Sequence, residues 1–402
     1  MTNQLNLHRA TFLFAAVQLA LLGGCLDQRH LIGETPPPST GGTHGSTGGA
    51  IGSLGGATAA TGGAVGAAGG ATAASGGAGG ASVIGASGAP CDIYAADGGP
   101  CAAAHSTVRA LYAAYGGPLY QVRRADGLTL DIAPASPGGL ANAADQDAFC
   151  GATACTISII YDQSLHGNHL TKAPPGQAKT TPGNEANAIA APIMLGGHKL
   201  YGVAIIPGVG YRNDTATGTA RGDAPETEYM VVAGDVYNAA CCMDYGNMET
   251  SNNDDGEGSV EAIYFGNCTV WGKGAGDGPW VMADLENGLW AGNLTPYAAN
   301  PSIAGWPFVT GMVKGGPAGA NRWTIKEGNA AGGALLTPFD GPRPSVRYNP
   351  MRKQGGIGLG IGGDNSNAVR ANWFEGVMTT AYASDAADDA VQANIVSVYR
   401  PQ

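Results

Sequence analysis

Short runs of strand-forming residues follow one another between residues 89 and 402, and clusters of Gly, Pro, Asn and Asp separate them. The connecting segments show no regular helical pattern, as the crossovers of a parallel sheet would. We therefore expect an all-β fold, an antiparallel β-sandwich of the jelly-roll or concanavalin-like type with a few short helices. The predicted strands cover residues 119–122, 156–161, 199–206, 228–232, 261–265, 280–286, 308–313, 322–325, 356–361 and 372–380.

Two stretches of this region have the apolar spacing of a helix. Residues 102–115 place apolar side chains three and four positions apart, which predicts one short amphipathic helix. Residues 384–399 predict a closing helix, because Ser384 is a suitable N-cap and acidic residues follow in the first turn. We expect this second helix to pack on the sandwich.

The first 88 residues have a different composition from the rest of the chain. An apolar run over residues 11–24 predicts an export signal over residues 1–25, and it is too short for a membrane span. Leu22-Gly-Gly-Cys25 resembles a bacterial lipobox, so we expect lipidation of Cys25, with ordinary cleavage nearby as the alternative. Residues 26–88 repeat Gly-Gly-Ala units that can bury little area, which predicts a disordered tether to the domain at 89–402.

The formal net charge of −11 argues against nucleic acid or an anionic membrane as a partner bound through a basic patch. A neutral polymer is more compatible, and we expect membrane contact only through the lipid anchor. The glycines of residues 358–363 match a dinucleotide pattern, but no helix follows them. His166-Gly-Asn-His169 reads as a turn with structural histidines, so neither a cofactor nor a metal is expected.

Eight cysteines in an exported chain predict disulfide bonds. Cys91 and Cys101 enclose one turn-rich loop, and Cys150 and Cys155 enclose another, so we expect two short local bridges.

The adjacent Cys241 and Cys242 leave two interpretations open. A bond between neighbouring cysteines closes a strained ring, because Cα atoms one peptide apart lie only about 3.8 Å from each other. Two buried thiols are slightly favoured by this reasoning alone. Cys268 is left over, and we expect it to be a free, buried thiol.

The predicted strand at residues 280–286 follows a glycine-rich loop and carries an unusual face. Its alternation places Trp280, Met282, Asp284 and Glu286 on the same side. Carboxylates two residues apart repel each other and lose hydration beside aromatic rings, so such a face is unfavourable unless it is used. Cleavage of a sugar polymer requires a pair of carboxyl groups, whereas a solvated strand end with incidental acids is the alternative.

Eight segments of the chain resemble the catalytic domain of the α-L-arabinofuranosidase B family, glycoside hydrolase family 54. The resemblance covers essentially all of residues 90–400. The segments are Cys91-Asp-Ile-Tyr, Ala104-His-Ser-Thr, Ile159-Ile-Tyr-Asp-Gln-Ser, Gly167-Asn-His-Leu, Ala173-Pro-Pro-Gly, Cys241-Cys-Met-Asp-Tyr-Gly-Asn, Gly274-Ala-Gly-Asp-Gly-Pro-Trp and Gly360-Ile-Gly-Gly-Asp-Asn-Ser-Asn.

The resemblance implies a β-sandwich domain that releases terminal α-L-arabinofuranosyl residues from arabinan and arabinoxylan with retention of configuration. The family's nucleophile is the glutamate of an Asp-x-Glu-Asn strand, which falls on Glu286. Its general acid/base is the aspartate of Gly-Gly-Asp-Asn, which falls on Asp364. A retaining mechanism predicts that these two carboxyl groups lie about 5 to 5.5 Å apart.

The resemblance also implies further contacts with the sugar. It implies a disulfide between Cys241 and Cys242 that lines the sugar subsite, which reverses the preference for two thiols. The other substrate-binding positions that it implies are Trp271, Asp284, Asn287, Gly363 and Asn365.

Three further expectations concern a possible binding module, the oligomeric state and the alternative functions. Family members commonly continue into an arabinose-binding β-trefoil module, whereas this sequence ends at Gln402, and we expect surface tethering to take its place. We expect a monomer. The alternatives are a surface-displayed carbohydrate-binding protein without catalysis and a hydrolase of a related furanoside such as galactofuranoside.

Overall fold

The computed structural model describes residues 88–401. The predicted export signal, the lipidation of Cys25 and nearly all of the predicted tether lie outside these residues. Among the described residues, no helix is long and apolar enough to cross a membrane.

The described chain is mostly β-strand. Its α-helices are α1 Pro90–Ala96, α2 Ala143–Cys150 and α3 Asp385–Tyr399. Its strands are β1 Cys101–Ser106, β2 Tyr120–Arg124, β3 Thr129–Ile132, β4 Cys155–Ile160, β5 Leu170–Lys172, β6 Pro192–Leu195, β7 His198–Tyr201, β8 Val203–Ile205, β9 Tyr211–Asn213, β10 Glu226–Ala233, β11 Asp244–Met248, β12 Glu261–Gly266, β13 Trp280–Asp284, β14 Leu289–Trp290, β15 Phe308–Gly315, β16 Trp323–Asn329, β17 Leu336–Gly341, β18 Gly356–Leu359 and β19 Ala371–Thr379.

Two large antiparallel sheets contain most of these strands. The first has the order β1-β19-β10-β15-β16-β17, with β8 also paired to β19. The second has the order β14-β13-β12-β11-β18-β9-β5-β4-β2-β3, while β6 and β7 form a separate hairpin. The site described below lies in the second sheet, at the ends of β11, β13 and β18.

The two sheets pack face to face. Gly311 of β15 shows how close they are, because a Cβ added there would lie 3.1 Å from Val281 and 3.2 Å from Ile263, both in the second sheet. Side chains of both inner faces form one apolar core, and every residue of β10, β12 and β13 is buried. The expected antiparallel β-sandwich is therefore confirmed.

The helix predicted over residues 102–115 is wrong. This segment begins with β1, which is entirely buried and pairs with β19 from Cys101 opposite Thr379 to Ser106 opposite Glu375. Its small alanines fit between a neighbouring strand and the core, so strand pairing overrides the helical spacing. The closing helix is confirmed as α3, and the Ser384 hydroxyl accepts a hydrogen bond from the Ala387 N–H at 3.2 Å.

The structure joins Cys91 to Cys101 with a Cα–Cα distance of 5.6 Å, and Cys150 to Cys155 with one of 5.9 Å. The free thiol expected at Cys268 is wrong, because Cys268 is disulfide-bonded and no cysteine in the described part of the chain is free. The prediction considered only cysteines close together in the sequence, whereas disulfide connectivity cannot be deduced from sequence alone.

Candidate active site

Strand β13 ends at Asp284, two residues earlier than the alternation predicts. Glu286 and Asn287 instead adopt left-handed backbone conformations, with φ of 59° and 56°. The Glu286 N–H donates to Oδ1 of Asp284 at 2.9 Å, which closes a tight turn. The relative position of the Asp284 and Glu286 carboxyl groups is therefore set by this turn, and not by the alternation of a continuing strand.

The loop after β18 brings Asp364 to the same place through two glycines. A Cβ added at Gly362 would lie 3.3 Å from Sγ of Cys242 and 3.5 Å from Oδ1 of Asp364. A Cβ added at Gly363 would lie only 2.7 Å from Oε2 of Glu286. The structure thus brings Glu286 and Asp364 together around a loop that has no room for side chains at either glycine.

Arg212 of β9 holds this loop. It is 2% exposed, and its Nη1 donates to the Gly363 carbonyl and to Oδ1 of Asn365, both at 2.7 Å. The Asn365 amide nitrogen donates to the Pro174 carbonyl at 2.8 Å and to Oδ1 of Asn252 at 2.9 Å. Since protein groups occupy both ends of the Asn365 amide, its environment favours support of the loop over contact with sugar.

Cys241 and Cys242 are joined by a disulfide bond. Cys242 belongs to an apolar cluster with Trp280 and Met282, and Cys241 and Trp271 pack against this cluster. Both sulfurs lie within 4.8 Å of an oxygen of Asp284. Because a disulfide offers no thiolate, these three residues do not fit a metal site. They instead form an apolar surface beside a carboxyl group.

Five buried or half-buried carboxyl groups gather here, from Asp244, Glu249, Asp284, Glu286 and Asp364, and the exposed Asp254 lies beside them. No ion pair among residues 88–401 includes any of them. Buried carboxylates without a cation tend to keep protons, since water no longer solvates the charge and neighbouring carboxylates repel it.

The pKa values of the group follow this expectation. Burial raises the pKa of Glu286 well above its ordinary value, and the charges of Glu249, Asp284 and Asp364 add to the effect. Burial also raises the pKa of Asp284 to about 6 and that of Glu249 to about 7. Burial raises the pKa of Asp244 well above its ordinary value, and the charges of Asp284, Asp364 and Glu249 add to the effect. The site can therefore hold carboxyl groups in both protonation states.

Other residues of the site were not predicted from the sequence. One of them is Asp254, which accepts a hydrogen bond at 2.9 Å through Oδ1 from the amide nitrogen of the predicted and exposed Asn287. Asp254 lies in the acidic loop Asn252-Asn-Asp-Asp-Gly-Glu257, which lacks an ordered spacing of ligands. Asp244 stands inside the Cys241-Cys-Met-Asp segment, which could have indicated it. Glu249 and Arg212 carry no comparable signal.

Comparison with known proteins places these features in a family. The family profile described as "Alpha-L-arabinofuranosidase B, catalytic" matches residues 90–400. A probable α-L-arabinofuranosidase B of Aspergillus terreus is 58% identical over 314 residues, which are 77% of this chain and 62% of that protein. An α-L-arabinofuranosidase of Hypocrea jecorina is 58% identical over 315 residues, again 77% of this chain and 62% of that protein.

Solved structures give the same result. A family 54 α-L-arabinofuranosidase soaked with a cyclic sulfate inhibitor has a TM-score of 0.74 and 54% identity, over 77% of this chain and 65% of that one. An arabinofuranosidase complexed with arabinofuranosyl-α-1,2-xylobiose has a TM-score of 0.74 and 53% identity, with the same coverage. This chain thus spans less than two thirds of the length of these relatives. It belongs to the α-L-arabinofuranosidase B catalytic-domain family, glycoside hydrolase family 54.

Proposed function

We propose that this protein hydrolyses terminal α-L-arabinofuranosyl residues of arabinan- or arabinoxylan-type polysaccharides with retention of configuration. The observation that carries this proposal is the convergence of Glu286 and Asp364 on the Gly362-Gly363 loop, beside the Cys241–Cys242 disulfide. Membership of the family supports the substrate class. The complex of one relative with an arabinofuranosylated xylobiose supports an arabinose-containing oligosaccharide as ligand.

In the first step of the proposed mechanism, a carboxylate oxygen of Glu286 attacks the anomeric carbon of the arabinofuranose. The bond between this carbon and the leaving oxygen breaks, and Asp364 gives its proton to that oxygen. The half-buried position of Asp364 suits this role, because the group must meet both the leaving group and incoming water.

In the second step, Asp364 takes a proton from water as the water oxygen attacks the same carbon. The ester bond to Glu286 breaks, arabinose leaves, and both carboxyl groups return to their starting states. We expect their nearest oxygens to be about 5 to 5.5 Å apart once sugar is bound.

The sugar itself is held by the surroundings of the two acids. The disulfide and Trp271 offer a rigid apolar surface, which contributes shape to the binding of the furanose ring. Asp284, Asn287 and the Gly363 backbone are assigned to sugar hydroxyls. Asp284 is well suited, because its position beside both sulfurs places a polar group at the edge of the apolar surface.

Export is the expected location, and disulfides at Cys91–Cys101 and Cys150–Cys155 support it. The relatives named above are fungal, so they do not bear on the bacterial type of lipid anchor proposed at Cys25. Lipidation of Cys25 and a monomeric state stay predictions.

The experiment that tests the proposal is incubation with 4-nitrophenyl α-L-arabinofuranoside, with proton NMR following the anomer first released. We expect turnover and initial appearance of the α anomer. Release of the β anomer would contradict the retaining mechanism. Activity only on the matching galactofuranoside would replace arabinofuranoside by galactofuranoside as the proposed substrate. Binding of arabino-oligosaccharide without turnover would identify a carbohydrate-binding protein.

A further inference from the structure

Glu249 follows β11 directly and is fully buried at the site, yet no step of the mechanism above uses it. Its Oε1 accepts a hydrogen bond from the Ser259 hydroxyl at 2.7 Å. Its Oε2 is buried and has no hydrogen-bond partner among residues 88–401. A buried oxygen of this kind is costly unless it carries or receives a proton.

The free oxygen of Glu249 lies near the nucleophile. A Cβ added at Gly363 would overlap Oε2 of Glu249 and would also lie 2.7 Å from Oε2 of Glu286. The two oxygens therefore reach the same small space beside Gly363. Glycine is required at this position because two carboxyl groups already fill the volume of its missing side chain.

The charged side chains around Glu249 and Glu286 are almost all negative. Asp284 and Asp364 face Glu286, and the loop that contains Asp254 and Asp255 packs on the other side. Arg212 does reach Glu249, but it donates to the backbone carbonyl of that residue and forms its ion pair with Asp214.

With no cation at either side chain, two ionised carboxylates would repel each other strongly in a buried site. One proton shared between them removes this repulsion and satisfies the free oxygen of Glu249. Burial raises the pKa of both groups, which agrees with one proton being retained by the pair as a whole.

We propose that Glu249 is a positioning residue that keeps a proton and donates it from Oε2 to Oε2 of Glu286. Its hydrogen bond lets the buried nucleophile exist as an oriented carboxylate. The proton stays on Glu249 throughout the reaction, because Asp364 supplies the proton for the leaving group. This inference rests on the proposed function, since it gives Glu286 the role of nucleophile.

The test compares Glu249→Gln and Glu249→Leu in the full chain with 4-nitrophenyl α-L-arabinofuranoside. Gln keeps a neutral donor, so we expect kcat within about fivefold of the wild type. We also expect no change in the acid limb, which is the low-pH side of the profile of kcat/KM against pH. Leu removes the donor, so kcat should fall on the order of 10- to 100-fold with KM little changed. Its acid limb should move to higher pH, because the Glu286 carboxylate loses a hydrogen bond.

The direction of the pH shift separates this role from the others. If Glu249 were ionised, both substitutions would remove a negative charge and move the acid limb to lower pH. If it were only a packing group, the limb would stay in place. Either result would overturn the inference, as would a folded Glu249→Gln protein with as little activity as Glu286→Gln.

Two controls complete the design. Glu257→Gln changes an acid of the same loop that pairs with the exposed Arg347, and it should leave the pH profile unchanged. Thermal unfolding reports whether each variant is folded. If the Leu variant is not folded, Glu249→Met takes its place, because Met also lacks a donor and adapts more readily to the shape of the site. A wild-type protein without activity would contradict the proposed function itself, which is a separate outcome.

Discussion

Glu286 adopts a left-handed backbone conformation that L-residues other than Asn and Asp rarely occupy. Asn252, Asn287 and Asn365 share it, with φ of 61°, 56° and 68°. Asn321, which lies elsewhere, is the fifth non-glycine residue of residues 88–401 with positive φ. Such conformations persist only where the surrounding contacts enforce them, and they concentrate at functional sites. Here they direct Glu286 towards Gly363 and hold the loop of Asp364.

Glu286→Gln tests the most important residue of the site. The amide has the shape of the carboxylate but cannot form the covalent intermediate, so kcat should fall by about 10⁴-fold or more. Measurement of initial rates, with thermal unfolding to show an intact fold, checks this expectation. The matched control is Glu257→Gln, which should keep full activity. Near-normal turnover by Glu286→Gln would remove it from the role of nucleophile.

The sequence allowed prediction of some residues of the site and not of others. Glu286, Asp364 and the adjacent cysteines stand in motifs whose letters carry chemistry. Arg212 does not, because its partners at the site include backbone carbonyls 37 and 151 residues away in the sequence. Backbone carbonyls are present in every residue, so no pattern of letters could have revealed these contacts.

At the scale of elements, strands rich in β-branched and aromatic residues were predictable. The strand β11 was missed because its sequence, Asp244-Tyr-Gly-Asn-Met, contains three residues typical of turns. It forms because β12 and β18 pair with it on both sides. The spacing over residues 102–115 fits a helix equally well, and only the pairing of β1 with β19 decides against it.

The segment that carries Cys241 and Cys242 gives a second prediction. Replacing both with Ser removes a rigid apolar surface next to Asp284, so we expect KM to rise about tenfold, with a smaller change in kcat. The matched control replaces Cys150 and Cys155, whose bridge lies between α2 and β4. Steady-state kinetics give KM and kcat for both variants, and the two KM values are compared. An unchanged KM in the Cys241/Cys242 variant would show that the disulfide does not form part of the sugar subsite.

At the scale of the whole molecule, a buried ion cluster joins the two sheets. Lys353 is fully buried and bonds Glu226 of β10 at 2.8 Å and Glu261 of β12 at 2.6 Å. Lys353→Met would leave two buried acids without this cation, so we expect a loss of about 3 to 5 kcal/mol in the free energy of unfolding.

Urea unfolding at neutral pH measures this effect. The comparison is Arg347→Met, which breaks an ion pair whose Arg side chain is 72% exposed, and it should cost less than about 1 kcal/mol. Equal effects of the two substitutions would contradict a structural role for the buried cluster.

The buried acids also predict how the stability of the whole molecule depends on pH. Burial raises the pKa of Glu327 to about 7, and both of its oxygens lack a partner within residues 88–401. The folded state then binds a proton that the unfolded state releases. This contribution is fully present below the ordinary value of 4.5 and is lost as the pH rises through about 7.

Glu226, Glu249 and Asp284 act in the same direction, since their pKa values are raised to about 7, 7 and 6. Glu261 acts in the opposite direction. Burial disfavours its charge, but Arg343 and Lys353 outweigh this effect and lower its pKa to about 2. Its contribution to stability is therefore lost only as the pH falls below the ordinary pKa of a glutamate. We therefore expect greatest stability near pH 5 and a falling unfolding temperature towards pH 8.

Glu327→Gln isolates one of these groups. It should stabilise the protein at pH 8 by up to about 3 kcal/mol and change little at pH 4, because the neutral amide resembles the protonated acid. Urea unfolding at the two pH values checks the difference. A pH-independent effect of the substitution would contradict the raised pKa.

The account depends on Glu286, among five neighbouring carboxyl groups, being the one that bonds to the sugar. The most direct measurement is mass spectrometric peptide mapping after inactivation with an electrophilic α-L-arabinofuranose analogue that forms an ester with the attacking carboxylate. We expect one label per chain, on Glu286, and none in the Glu286→Gln variant. A label on Asp284, Glu249 or Asp364 in the wild-type protein would contradict the account.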